Sequence, residues 1–572
     1  MYIKNFSNDL NLTRQDAINL IILAVFSFLL TVHLLNLNYT HNFKPDSFVY
    51  LVNALVYAGM QGNIQNYAYS MFLTPVISIL TSLLFRVGIV DKVAIMIVTG
   101  AIGIFGEIGL YLLFRTKFDK FLSFLGCILF ASFFVIISNW ATGGIDLPVC
   151  CFAIFTILFM ILAVEKNPKY YILTSIFLIL AIFTKYDAFF LIPLLLLCYL
   201  SKHDLFNILD LALSDREEFK NLAKNYLKSE EFKYILISIF IAIALFILFC
   251  ELILHYGSNL TFFAQSQESL NGFNNAAASK SNFYYNDKKF YIEHIYDFFY
   301  PNISPLVSLI IPFFIAIGGI FGFANLFKSR KDYHLIKDYN TPYFKYLILA
   351  VIIILIPISV LGFKYVSHMV TNIGFLIICV CILSLADKTN INKDELDLDI
   401  LFLAWLIVFA VFFSFITIKG PRYLTIAMPP VVYFVLWSIE KIFNKFKDSN
   451  KFKMALIVIA AILMVYSLTI TYGDYVLVDE RNNTDLQNTY DFLIELDSDY
   501  NSKNLSSDYS YGARFGTWTL KKDVKYIKKR EMDSSNSDYI ISKRDLNLTN
   551  YTDIYHSGKI HLYQNRRYNL IP

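Results

Sequence analysis

The chain has 572 residues, of which 56% are hydrophobic and only 16% charged, with a mean hydropathy of +0.52. Soluble domains carry about 25% charged residues, so a string of water-soluble domains is excluded. Aromatic residues at 17% exclude disorder, and 22 Gly with 14 Pro exclude a collagen-like chain. A net charge of +4 is too small to argue for a nucleic-acid partner. The composition is that of a polytopic membrane protein.

Apolar runs of about 18 or more residues can each cross a bilayer as a helix. In chain order the candidates are 17–37, 93–114, 120–138, 147–164, 170–184, 187–200, 233–255, 303–327, 344–362, 366–386, 399–418, 423–441 and 454–472. They predict a polytopic α-helical membrane protein with about 13 transmembrane helices. The first run is long enough to span and lacks a small-residue cleavage site, so it reads as a helix rather than a cleaved signal peptide. Cys127, Cys150, Cys151, Cys198, Cys250, Cys379 and Cys381 all fall inside apolar runs. They offer neither a disulfide framework nor a Cys-based metal site.

A fourteenth stretch, Met71 to Val90, is decided by the basic residues, which favour the cytoplasmic side. With this stretch out of the membrane and Lys4 and Arg14 inside, the basic clusters at 115–120, 166–169, 201–232, 328–331 and 441–453 all fall inside. With it in the membrane they all flip outward. Residues 71–90, interrupted by Pro75, are therefore expected along the outer face.

The external segments are then 38–92, 256–302 and 473–572. The sequons at Asn38, Asn259, Asn302, Asn482, Asn504, Asn547 and Asn550 fall outside, against Asn5 and Asn11 inside. The expected organisation is a membrane domain over 1–472, with the external loop 38–92, and a small soluble α/β domain over 473–572. In that tail an amphipathic helix near Asp485–Leu496 precedes strand-like runs at Asp538–Ser542 and Lys559–Tyr563. Its charges are balanced and it has no Gly-rich phosphate loop and no metal spacing. It reads as a passive or acceptor-facing module.

Ionisable groups in or at the rim of a bilayer cost ~2.5–3.5 kcal/mol each, which makes them functional candidates. Asp46 precedes the apolar run Phe48 to Met60, and Asp146 sits with Pro148 in the polar break between two spans. Each is a helix N-cap or a functional carboxylate. Lys185 lies in the turn Thr184–Asp187, as a snorkelling partner of Asp187 or a cation for a phosphate. Lys419 and Arg422 stand on the external side, against the charge trend, and point to an anionic ligand. A carboxylate can take a proton from an attacking hydroxyl, and cations can stabilise a departing phosphate. Membrane depth suits a lipid-linked phosphosugar.

Over about residues 15–440 this pattern resembles the GT-C glycosyltransferases, especially the protein O-mannosyltransferases and the aminoarabinose transferases that modify lipid A. The matching residues are Asp46-Ser-Phe-Val-Tyr50, Ile145-Asp146-Leu-Pro148, Thr184-Lys185 through Pro193, and Arg422-Tyr423 with Pro429-Pro430. The family usually has a second acid directly after the first Asp; here Ser47 stands there. The resemblance implies inverting transfer of a sugar from a polyprenyl-phosphate donor, such as a dolichyl phosphate, to a hydroxyl on a protein, lipid or glycan acceptor. The reaction would take place at the extracytoplasmic face of the cell membrane. It implies Asp46 as base, Asp146 as its assistant or as a positioner of the acceptor, and Lys185, Arg422 and Tyr423 around the donor phosphate. No cofactor or metal is assigned; a divalent ion near Glu293 and His294 stays uncommitted. The competing reading is a lipid or sugar transporter or flippase, which usually shows internal repeats and charges at mid-membrane. No repeat is found, and the charges singled out sit at one rim.

Overall fold

The structure, a computed structural model, describes residues 2–257 apart from 42, 45 and 67–73. It also describes 287–567 apart from 302–308, 330–340, 342, 389–392, 417–418, 443–448 and 479. The sequons at Asn259 and Asn302 and most of the loop 256–302 lie outside the described residues.

The membrane domain begins with α1 (Arg14–His41), followed by α2 (Ser47–Ala58), α3 (Val76–Arg86) and α4 (Lys92–Phe114). Next come α5 (Lys120–Ser132), α6 (Asp146–Glu165), α7 (Tyr170–Ile182) and α8 (Leu191–His203). The long helices α9 (Glu230–Tyr256), α10 (Ile310–Ser329), α11 (Phe344–Tyr365) and α12 (His368–Asp387) follow. The bundle closes with α13 (Lys393–Phe415), α14 (Met428–Ile442) and α15 (Asn450–Val478). Among the described residues, each of the thirteen apolar runs overlaps one of these helices. Ten described segments are long and apolar enough to cross a bilayer. Helix α3, in the ambiguous stretch, has 11 residues. At 1.5 Å per residue it is about 16 Å long, too short to cross.

Close approach of α4 to its neighbours follows from a glycine every third residue, at 100, 103, 106 and 109. A Cβ at Gly106 would overlap the Cys151 sulfur on α6, and one at Gly109 would press on the Phe155 ring. Small residues at such crossings let helix backbones approach in a bilayer, where hydrophobicity does not drive helices together. At one end of the bundle, Arg115 Nε lies 2.7 Å from the buried Asp16 carboxylate and the Tyr111 hydroxyl donates to it at 2.8 Å. This joins α1 to α4 at the rim opposite the one described next.

The tail continues α15 with α16 (Glu480–Leu496) and α17 (Ser510–Leu520). Its five strands are β1 (Leu505–Ser507), β2 (Val524–Tyr526), β3 (Tyr539–Ser542), β4 (Tyr551–Ser557) and β5 (Ile560–Asn565). They form one sheet in the order β2-β1-β3-β5-β4, with β1 parallel to β2 and β3, and β5 antiparallel to β3 and β4. The parallel β1–β2 pair needs a crossover, and α17 supplies it. Gly558, at φ 56°, turns the β4–β5 hairpin.

This α/β domain is not a free appendage. Its core residues Leu486, Tyr490, Phe515 and Trp518 belong to one buried cluster with Phe48, Leu51, Phe85 and Ile95 of the membrane domain. Backbone pairing between Asn63 and Lys522 extends the joint. So does the Asp523 carboxylate, which accepts from the backbone N–H groups of Gln65 and Asn66.

Candidate active site

Helix α6 starts at Asp146, α7 ends just before Lys185, and the 3-10 turn Pro421–Ala427 carries Arg422 and Tyr423. The bundle brings these starts and stops to one rim. Lys185 Nζ lies 2.9 Å from Asp146 Oδ1 and 2.8 Å from Asp187 Oδ2, and all three side chains are largely buried. The same ammonium stands 4.7 Å from the centre of the Tyr423 ring. Burial works against its charge, but Asp146 and Asp187 outweigh burial and hold the amine above its ordinary range.

Arg422 links this triad to Asp46. Its Nη2 lies 3.2 Å from Asp46 Oδ2, and its Nε lies 4.0 Å from Asp146 Oδ2. Its guanidinium also stands 5.3 Å from the Tyr423 ring centre. The five residues expected from the sequence, Asp46, Asp146, Lys185, Arg422 and Tyr423, therefore form one contiguous group. The N-cap alternative fails for both carboxylates. Asp46 precedes α2 yet its side chain makes no capping bond, and Asp146 is already inside α6, whose cap position is Ile145.

Helix α3 backs the group: the Thr74 hydroxyl donates to Thr184 O at 2.7 Å, and the Val76 N–H to Phe183 O at 3.2 Å. Ser47, directly after Asp46, is fully buried and its hydroxyl donates to Thr142 O. It sits against Gly143, whose φ of 74° suits glycine and whose Cβ, if present, would press on Ser47. A longer acid at 47 would have to displace that turn.

Two participants, Lys44 and Arg514, escaped sequence reasoning. Lys44, two residues before Asp46, feels Arg422, Asp146 and Asp46. Burial, then the Arg422 charge, push its ammonium down to about 8. Arg514, on α17, places Nη1 2.6 Å from Asp46 Oδ1. Asp187 was legible only as a partner for Lys185. Lys419, expected to serve an anion, instead donates to the carbonyls of Phe413 (2.8 Å) and Ser414 (2.6 Å) at the end of α13. His294 pairs with Asp297 at 3.0 Å.

Among the described residues, one His/Asp group has metal-like spacing: Asp545, Asp553 and His561 in the C-terminal domain. None of the three is among the rim residues. Glu107, buried in the middle of α4 with no hydrogen-bond partner for its carboxyl among the described residues, is a mid-membrane ionisable group. It lies away from the rim charges, inside an apolar run that hides a single acid.

Lys185 is the electrostatic keystone of the rim. Lys185→Met is expected to strand two buried carboxylates and to destabilise the protein by about 3–5 kcal/mol. Thermal unfolding in detergent reads this, and Asp187→Asn in the same background should recover part of the loss.

No curated protein matches the chain by sequence. Residues 73–208, about a quarter of the chain, match the family model described as dolichyl-phosphate-mannose-protein mannosyltransferase. Among solved structures, ArnT from Cupriavidus metallidurans bound to undecaprenyl phosphate is similar over 96% of this chain and 98% of that one. The TM-score is 0.53 and the identity 10%. The apo state of that protein matches at TM-score 0.50 and 10% identity, over 95% of this chain and 97% of that one. At this identity the likeness speaks for the fold alone: the chain is a multi-pass membrane protein with an ArnT-like architecture.

Proposed function

We propose that the protein is a membrane glycosyltransferase that moves a sugar from a polyprenyl-phosphate donor to an acceptor hydroxyl with inversion. The observation that carries this reading is the cluster at one rim. Lys44, Lys185, Arg422 and Arg514 there face the carboxylates of Asp46, Asp146 and Asp187. Four cations against three anions suit a monoanionic phosphodiester, and membrane depth suits one with a lipid chain. The ArnT-like fold adds support, since that protein has been seen with undecaprenyl phosphate.

In the proposed step the acceptor oxygen attacks the anomeric carbon and passes its proton to Asp46. The bond from that carbon to the phosphate oxygen breaks on the opposite face, and its electron pair leaves with the polyprenyl phosphate. The second negative charge that develops on the phosphate is met by Lys185, Arg422 and Lys44, with Tyr423 beside them. Asp146, paired with Lys185 and near Arg422, assists by holding both cations toward the donor. By the charge rule for loops, this rim and the C-terminal domain face the extracytoplasmic side.

Three experiments test the reading. Purified protein offered labelled polyprenyl-phosphate sugars should transfer one of them. Asp46→Asn should then lose ~10²–10⁴ in rate while the protein stays folded and still binds the donor. Near-normal turnover would remove Asp46 as the base. For orientation, Ser502→Cys should react with a membrane-impermeant thiol reagent in intact cells, and Lys220→Cys should not. The reverse pattern would place the rim inside. Finally, Lys44 loses its proton as pH rises through about 8. Donor affinity should fall over that interval by about tenfold, the value of one charge-assisted contact. Lys44→Arg, which stays charged, should flatten the profile.

A further inference from the structure

Helix α17 presents Tyr511, Arg514, Phe515 and Trp518 at i, i+3, i+4 and i+7, which puts them on one face. That face meets the membrane domain. Phe48 packs edge-on against Tyr511 and Phe515, with ring centres 5.8 and 5.2 Å apart, and Phe85 stacks on Trp518 at 6.0 Å. On the opposite face Gly512 and Gly516 lie against aromatic rings: a Cβ at Gly516 would overlap Tyr490, whose hydroxyl donates to Gly512 O at 2.8 Å. The helix is thus seated on both sides and its rotation is fixed. Arg514 is the one charged residue in its aromatic stripe, and its guanidinium reaches Asp46 at 2.6 Å.

Asp46 needs such a partner. Its side chain makes no bond to the helix it precedes, and among the described residues its carboxylate hydrogen-bonds only to Arg422 and Arg514. Arg422 holds Oδ2 from the membrane side and Arg514 holds Oδ1 from the C-terminal domain. With one guanidinium removed, the carboxylate is free to swing about the other.

We infer that Arg514 is a positioning residue for Asp46, and that the C-terminal domain is thereby part of the active site. The inference rests on the reading of Asp46 as the base, and it takes a test with and without turnover. The first arm needs no substrate. In Asp46→Cys, the rate of alkylation by iodoacetamide is followed against pH. An adjacent guanidinium favours the thiolate, so Arg514→Gln should move the profile upward by about half a pH unit or more, and Arg514→Lys should bring it part of the way back. An unmoved profile overturns the inference, whatever the enzyme does. The second arm uses the full protein with Asn63→Cys and Lys522→Cys, at positions that pair as neighbouring strands do, oxidised to lock the domain in place. In that locked protein Arg514→Gln should cost about tenfold in kcat with the donor KM unchanged, and nothing further once Asp46 is Asn. Full activity of the locked Arg514→Gln protein would make the residue a docking contact and overturn the inference. A shifted pH profile in a protein that transfers no sugar would support the contact and sink the proposed function instead.

Discussion

Lys185 is held between Asp146 and Asp187 at 2.9 and 2.8 Å, in surroundings where a lone charge is costly. Such a triad persists only while all three members stay in place, and each comes from a different local decision of the chain. Asp146 opens α6, Lys185 occupies the break after α7, and Asp187 sits in the 3-10 turn that leads into α8. The break cannot slide along the helices without leaving a carboxylate unpaired. The interaction therefore fixes where three helices start and stop, and hence where the Tyr423 ring and the Arg422 guanidinium find their partners.

The C-terminal domain enters the site through packing rather than charge. Its aromatic residues share a buried core with α2, α3 and α4. The contact with Asp46 comes as a consequence of how α17 is seated. Asp523 clasps the backbone at 65–66, shortly before the segment that leads to Thr74, and the Thr74 hydroxyl bonds Thr184 beside Lys185. The domain is thus tied to the chain at 65–66, and the ion triad to the same chain at Thr74.

Much of this was legible in the sequence. The spans followed from apolar length alone, and the non-spanning character of 71–90 from the distribution of Lys and Arg, which the 11-residue α3 fits. Asp46, Asp146, Lys185 and Arg422 were visible because each is expensive at a membrane rim. What stayed hidden depends on tertiary contact. Arg514 lies in a soluble domain, where an arginine is unremarkable until the aromatic stripe around it is seen to face the membrane. Lys44 resembles any basic residue flanking a span. Lys419 was misjudged because helix-end carbonyls satisfy an ammonium as well as a phosphate does. Asn38 carries a sequon, yet its amide is buried and bonded to Trp140 O, a fold contact that no pattern of three residues reveals.

Asp46 and Asp146 were first separable as two carboxylates at two helix mouths. The structure makes them one electrostatic unit, because Arg422 stands 3.2 Å from the first and 4.0 Å from the second. Neutralising Asp146 frees Arg422 to close fully on Asp46, and neutralising Asp46 lets it settle on Asp146. A change at either acid is therefore felt at the other through a shared cation, as expected for groups with a common partner. In the proposed mechanism the same bridge would couple an incoming phosphate to the base. An anion that draws Arg422 toward the membrane side loosens its hold on Asp46 Oδ2, leaving Arg514 as the remaining guanidinium on that carboxylate. Donor binding and release of the base toward the acceptor would then be two ends of one movement.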